Sequence, residues 1–233
     1  MKTPTVVWRY FFASAFVRYV SQHPFSVLAL CNILGDLCWL GFAFHTEGFI
    51  SFSKFLGAVF AIFAHLILLA FGDDQARKMM TESGWVAHFL LRLRVYAQRL
   101  VSCFPTKIQG YVLKRPVGIP FSMLMLNGVA LLLDVILAGR MNAALMVQTF
   151  SGVIIIGGCG CFALADFIKS QLWANRLTKL APAILVLATF AQIALALTTL
   201  NPFLIISVPI WMLSNFAGFF TKIDKEKAGI GVG

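Results

Sequence analysis

Apolar runs close to twenty residues long recur along this 233-residue chain. At a rise of about 1.5 Å per residue, a helix of about twenty residues crosses the hydrocarbon core of a bilayer. Lipid offers no hydrogen bonds to the backbone, so such runs fold as helices, which satisfy their own amides. The runs fall at roughly 24–44, 52–71, 120–139, 147–165, 181–200 and 202–220. They predict an all-α, polytopic membrane protein with six transmembrane helices. Composition agrees, with 60% hydrophobic and only 12% charged residues, against about a quarter charged in a soluble domain.

The formal charge is +10, and its placement matters more than its size. Lys2, Arg9 and Arg18 precede the first run. Arg77, Lys78, Arg92, Arg94, Arg99, Lys107, Lys114 and Arg115 lie between the second and third. Lys169, Arg176 and Lys179 lie between the fourth and fifth, and Lys222, Lys225 and Lys227 follow the sixth. The opposite loops hold little beyond Arg140 and, at a span edge, Lys54. Positive loops stay in the cytoplasm, which places both termini there, as an even number of spans also requires. A bacterial inner membrane is the expected location, with anionic lipid as partner at the cytoplasmic face. Nucleic acid is not an expected partner: strand binding needs exposed aromatics along a basic groove, and most of the 23 phenylalanines lie within apolar runs.

These signals divide the chain into a basic interfacial N-terminal helix (1–23), a first transmembrane hairpin (24–72) and a cytoplasmic basic segment (73–119). A second hairpin (120–166), a basic loop (167–180), a third hairpin (181–220) and a cytoplasmic tail (221–233) follow. The N-terminal VVWRYFFASAFVRYV is broken by Arg9 and Arg18 and has no small-residue cleavage site, unlike a secretory signal. Within the long segment, GWVAHFLLRLRVYAQRLV has helical periodicity. His88, Arg92 and Arg99 fall near one face, and Trp85, Phe89, Leu93 and Leu100 near another, with Arg94 at the boundary. It predicts a basic amphipathic helix on the cytoplasmic leaflet, or a protein-docking helix over residues 83–104. PTKIQG and KRPVGIP are rich in turn formers and predict the end of that segment.

The three hairpins share a layout. With Asn32 set on Asn127, Phe55, Leu56 and Gly57 fall on Phe150, Ser151 and Gly152. The third hairpin carries Phe216, Ala217 and Gly218, with Gln192 near the asparagine position. Each begins near a proline (Pro24, Pro120, Pro182) and is followed by an acid (Asp73, Asp166, Asp224). Three hairpin repeats are expected, and membrane repeats commonly enclose a site where they meet at the midplane. PFSVLALCNILGDLCWLGF and NPFLIISVPIWMLSNFAG resemble inner-membrane proteins of the SWEET/PQ-loop-like superfamily. That resemblance implies movement of small solutes, sugars and amino acids among them. The family's proline–glutamine dipeptide is absent here, and its repeat has three spans rather than two.

Asp36 and Asp134 are the carboxylates within spans. Buried ionised, either would cost several kcal/mol, so each must pair, meet water or hold a proton. Asn32 and Asp36 are four residues apart and share a helix face. His65 is the one histidine within a run. Asn32, Asp36, His65, Asn127, Asp134 and Gln192 are therefore the candidates for a substrate or proton path. The alternative is a structural cluster joining helices by hydrogen bonds. Gln148 and Asn215 complete a set of amides open to both roles. Gly157, Gly158 and Gly160 predict a close helix contact, with Gly41 and Gly57 as further sites of that kind. Pro209 falls inside the sixth run and predicts a freed carbonyl one turn earlier.

Cys31, Cys38, Cys159 and Cys161 suit apolar faces, and Cys103 lies in a basic loop; neither a disulfide nor a zinc site is expected. His45 and His65 lack the supporting pair a haem would need, and no cofactor is expected. No catalytic motif of serine-hydrolase, metalloprotease or phosphate-loop type occurs, so the chain does not read as an enzyme. Three functions remain: a small-solute transporter with a midplane polar site, a non-catalytic scaffold or subunit of a secretion or envelope complex, or an intramembrane enzyme acting on lipid with scattered residues.

Overall fold

The structure, a computed structural model, describes residues 17–48, 50–73, 85–139 and 142–223. The segment before residue 17, the acid Asp224, the basic residues Arg77, Lys78 and Arg140, and the tail from 224 lie outside the described residues. Eight helices occur among those described. They are α1 (Pro24–Glu47), α2 (Phe52–Phe71), α3 (Trp85–Ser102), α4 (Thr106–Lys114), α5 (Gly118–Ala138), α6 (Ala143–Phe167), α7 (Gln171–Thr199) and α8 (Pro202–Gly218). Residues 17–22 are also helical. Helices α1, α2, α5, α6 and α7 are long and apolar enough to cross a membrane, and α8 is a shorter apolar helix. This is the all-α build of an integral, multi-pass membrane protein.

Local chemistry fixes the helix ends. The residues that close α1, α5 and α7 have left-handed backbone: Gly48 (φ 72°), Gly139 (φ 63°) and Leu200 (φ 50°). Glycine takes that conformation without strain, whereas Leu200 does not. The partner helix of each hairpin then starts on a side-chain cap. Ser51 accepts from Lys54 N, Asn142 from Leu145 N at 2.9 Å, and Asn201 from Phe203 N at 3.0 Å. At the other end, the capping is done across the hairpin. Asp73, just beyond α2, accepts from Phe25 N at 3.0 Å and Ser26 N at 2.7 Å in the first turn of α1. Asp166, ending α6, accepts from Gly118 N at 2.6 Å at the start of α5. Both links join residues about 48 apart. Burial pushes the Asp73 carboxyl above the usual carboxylate range, while its hydrogen bonds and nearby His23 pull it down.

The six apolar helices close into a ring. Neighbours run in the order α1, α2, α5, α6, α7, α8 and back to α1. Small residues permit the tightest approaches: Gly128 of α5 meets Gly152 of α6 backbone to backbone, and Gly158 of α6 meets Leu185 of α7. The main apolar core lies toward the end where α1 and α5 begin and where α2 and α6 finish. Phe121 and Phe162 stack there with centroids 4.3 Å apart, both fully buried. A smaller cluster of Phe42, Leu195, Ala196 and Leu204 holds the hairpin-turn end.

Three sequence expectations change. PTKIQG is not a turn; after Pro105 it opens α4, whose Val112 packs with Ile67 and Val101. Helix α7 begins at Gln171, ten residues before the expected start, capped by Ser170. Pro182 lies inside it, fully buried against Gly218 of α8. The helix runs through this proline although it removes one backbone hydrogen bond and crowds the carbonyl four residues earlier, so Pro182 is not the boundary expected from sequence. In α3 the packed face is Arg94, Ala97 and Val101, while Phe89 and Leu100 are exposed. Gln98 ties this helix to the Ala70 carbonyl at 3.2 Å.

Candidate functional site

All six ring helices contribute to a central cavity of ≈ 140 Å³. It sits about halfway along them. Asn32, Asp36 and Trp39 come from α1, Lys54 and His65 from α2, and Asn127 from α5. Gln148 and Ser151 of α6, Thr189 and Gln192 of α7, and Trp211, Ser214 and Asn215 of α8 add to the polar part. Five of the six candidates from sequence, Asn32, Asp36, His65, Asn127 and Gln192, therefore meet around one space. They are up to 160 residues apart in the chain, so only the ring brings them together.

Several polar groups in this lining are satisfied by one another. Gln192 donates to Ser151 Oγ at 3.1 Å, and Asn215 to Thr189 Oγ1 at 2.6 Å. Others are not. Asp36 Oδ2, Trp39 Nε1, His65 Nε2 and Gln192 Oε1 are buried without a hydrogen-bond partner. His65 Nδ1 lies 3.3 Å from Asp36 Oδ2 without the alignment of a hydrogen bond. A buried polar group left unpaired costs about 1–3 kcal/mol. Four around one cavity is the pattern of a space that takes water or a polar solute.

Asp134, the sixth candidate, is elsewhere. It lies near the end of α5 in a polar knot at the hairpin-turn side. Lys54 Nζ is 3.3 Å from its Oδ2 and Gln148 donates to the same oxygen at 2.9 Å. Ser53 Oγ donates to Oδ1 at 2.8 Å and Ser51 to the same atom. The knot borders a second, larger cavity of ≈ 890 Å³ that opens among the hairpin turns. Trp39, Lys54 and Gln148 line both cavities. The Lys54–Asp134 pair thus stands where the outer space meets the inner one.

Lys54, expected as a charge at a span edge and not as a site residue, is buried at 5% exposure. Sequence reasoning also missed Trp39, Trp211, Ser151 and Thr189. Trp39 carried a signal, since it lies three residues after Asp36 and shares its face. Trp211 carried another: it falls in mid-span, away from the interfaces where tryptophan anchors sit. Its indole packs against Gly35, where a Cβ would overlap Nε1. Gly57 is matched in the same way to Asn127 Oδ1. These two glycines let the indole and the amide reach the cavity wall.

Comparison with protein-family models, curated proteins and solved structures finds no match to this chain.

Proposed function

We propose that this protein is a small-solute transporter whose substrate occupies the central cavity, with Asp36 its key residue. The observation that carries this is the cavity midway along a six-helix ring, its wall mostly apolar but bordered by buried polar atoms without hydrogen-bond partners. A packing cluster would close on itself, as Gln192–Ser151 and Asn215–Thr189 do. Asp36, His65 and Trp39 instead keep hydrogen-bonding capacity in hand.

The proposal includes six spans forming three hairpin repeats, both termini in the cytoplasm, and a bacterial inner membrane. Helix α8 has 17 residues, about 25 Å of rise, at the short limit for a span. The repeat is supported by left-handed closure of all three first helices and by the matching caps from Asp73 and Asp166. Topology rests on the basic loops. The likeness of the α1 and α8 segments to the SWEET/PQ-loop-like superfamily belongs to the same proposal. Helices α3 and α4 present exposed Phe89, Tyr96, Leu100, Ile108 and Tyr111 beside exposed Arg92, Arg99, Lys107 and Lys114. Apolar and basic groups so mixed suit an anionic leaflet.

The same α3 surface supports the scaffold reading, in which it holds a partner protein. Native mass spectrometry of gently purified protein separates the two. A small polar molecule retained by wild type and lost in Asp36→Asn supports the transporter. A stable protein partner that survives Asp36→Asn, is lost when residues 91–100 are deleted, and comes with no small molecule overturns it.

A further inference from the structure

The charge balance of the central cavity identifies the solute class. This step rests on the transporter reading above. The ionisable groups bordering the cavity are Asp36 on α1, Lys54 and His65 on α2, and Cys159 on α6. Helix α8, packed against α1, carries no ionisable residue. The Lys54 ammonium is engaged by Asp134 at 3.3 Å, a pair that is neutral as a unit. Asp36 is then the charge that sets the sign of the space. With His65 neutral the remaining site is anionic; with one proton added to the Asp36–His65 pair it is neutral.

The surrounding groups favour a cation with N–H donors. Asp36 Oδ2 and Gln192 Oε1 are acceptors without hydrogen-bond partners, and of the four unpartnered cavity atoms only Trp39 Nε1 is an obligate donor. Two indoles border the same cavity: Trp39 lies three residues after Asp36 on the same helix, and Trp211 packs against Gly35. Tryptophan is the strongest of the aromatic rings in attracting a cation. Size is also limiting. An apolar cavity of about 150 Å³ takes a molecule the size of benzene, so ≈ 140 Å³ admits about six non-hydrogen atoms.

We infer that the cavity binds a small organic cation of the alkylammonium or guanidinium type, in exchange for one proton held by Asp36 and His65. Cation binding puts a positive charge beside the carboxylate, and the shared proton leaves to water. Protonation reverses the step and releases the cation. One positive charge enters for each that leaves, so the buried site never holds an excess charge of either sign beyond that of the empty carboxylate.

Purified protein in weakly buffered detergent solution tests this. The probes are methylammonium and guanidinium chlorides, with acetamide as neutral and sodium acetate as anionic comparisons. Indole fluorescence reads occupancy, and a pH indicator reads proton release. The cations change the fluorescence and release about one proton per protein, and their affinity falls as the pH is lowered, because protons compete for the same site. Asp36→Asn loses both signals and Asp36→Glu keeps both; the pair of variants separates loss of charge from loss of fold. Equal binding of acetamide or unchanged binding in Asp36→Asn overturns the cation assignment, cation binding without proton release overturns the proton exchange, and each leaves the transporter reading standing. If no probe binds while Ser151→Cys reacts with a water-soluble thiol reagent, the cation assignment fails alone. If no probe binds and Ser151→Cys is unreactive, both fail.

Discussion

Asp36 is placed to act because the fold leaves it half-answered. His65 is near but misaligned, and Oδ2 has no donor. Asp36→Asn keeps the shape and removes the charge. Its thermal stability in detergent should fall within about 1 kcal/mol of wild type, as an isosteric change outside a tight ion pair, while the transport we propose should be lost. Lys54 and Asp134 should behave in the opposite way. They pair at 3.3 Å with both side chains buried. Lys54→Met strands a buried carboxylate and should cost about 3–5 kcal/mol, whereas Lys54→Met with Asp134→Leu should recover most of it. Equal losses in the single and double variants, measured by thermal unfolding, would contradict that assignment. The candidate site was partly legible because charged or amide residues in an apolar run must face other helices. That rule found Asn32, Asp36, His65, Asn127 and Gln192. It could not find the Lys54–Asp134 pair, because the partners are far apart in the chain and Lys54 lies two residues into α2.

At the scale of elements, the helices follow from apolar run length and end chemistry, and the sequence located them well where both agree. Helix α2 occupies its expected 52–71. The reading failed where a proline gave the wrong cue: Pro182 sits within α7, and Pro105 starts α4 rather than extending a loop. Turn chemistry yields a test. Leu200 has a left-handed backbone and a largely exposed side chain. Leu200→Gly should remove strain of about 1–2 kcal/mol and raise the unfolding temperature; a lower one would show that the side chain matters more. Close packing yields another. Gly35→Ala puts a methyl where the Trp211 indole lies. It should cost about 1–3 kcal/mol and shift indole fluorescence, and an unshifted spectrum would place Trp211 elsewhere.

Across the whole molecule, the ring is asymmetric along its axis. The Phe121–Phe162 stack and the main apolar core seal the end carrying α3 and α4. The hairpin-turn end holds the larger cavity, separated from the inner one by Trp39, Lys54 and Gln148. None of that asymmetry is written in run lengths or loop charges, since it depends on which side chains from six helices fill the axis. Solute access to the centre is the central claim. The direct measurement places Ser151→Cys in a background with the native cysteines replaced, in sealed vesicles of known orientation, and applies membrane-impermeant thiol reagents to each side in turn. The account predicts modification from the hairpin-turn side, slowed by a bound cation and nearly unaffected by Asp36→Asn in the absence of cation. No modification from either side would contradict it and leave the polar centre as helix packing alone.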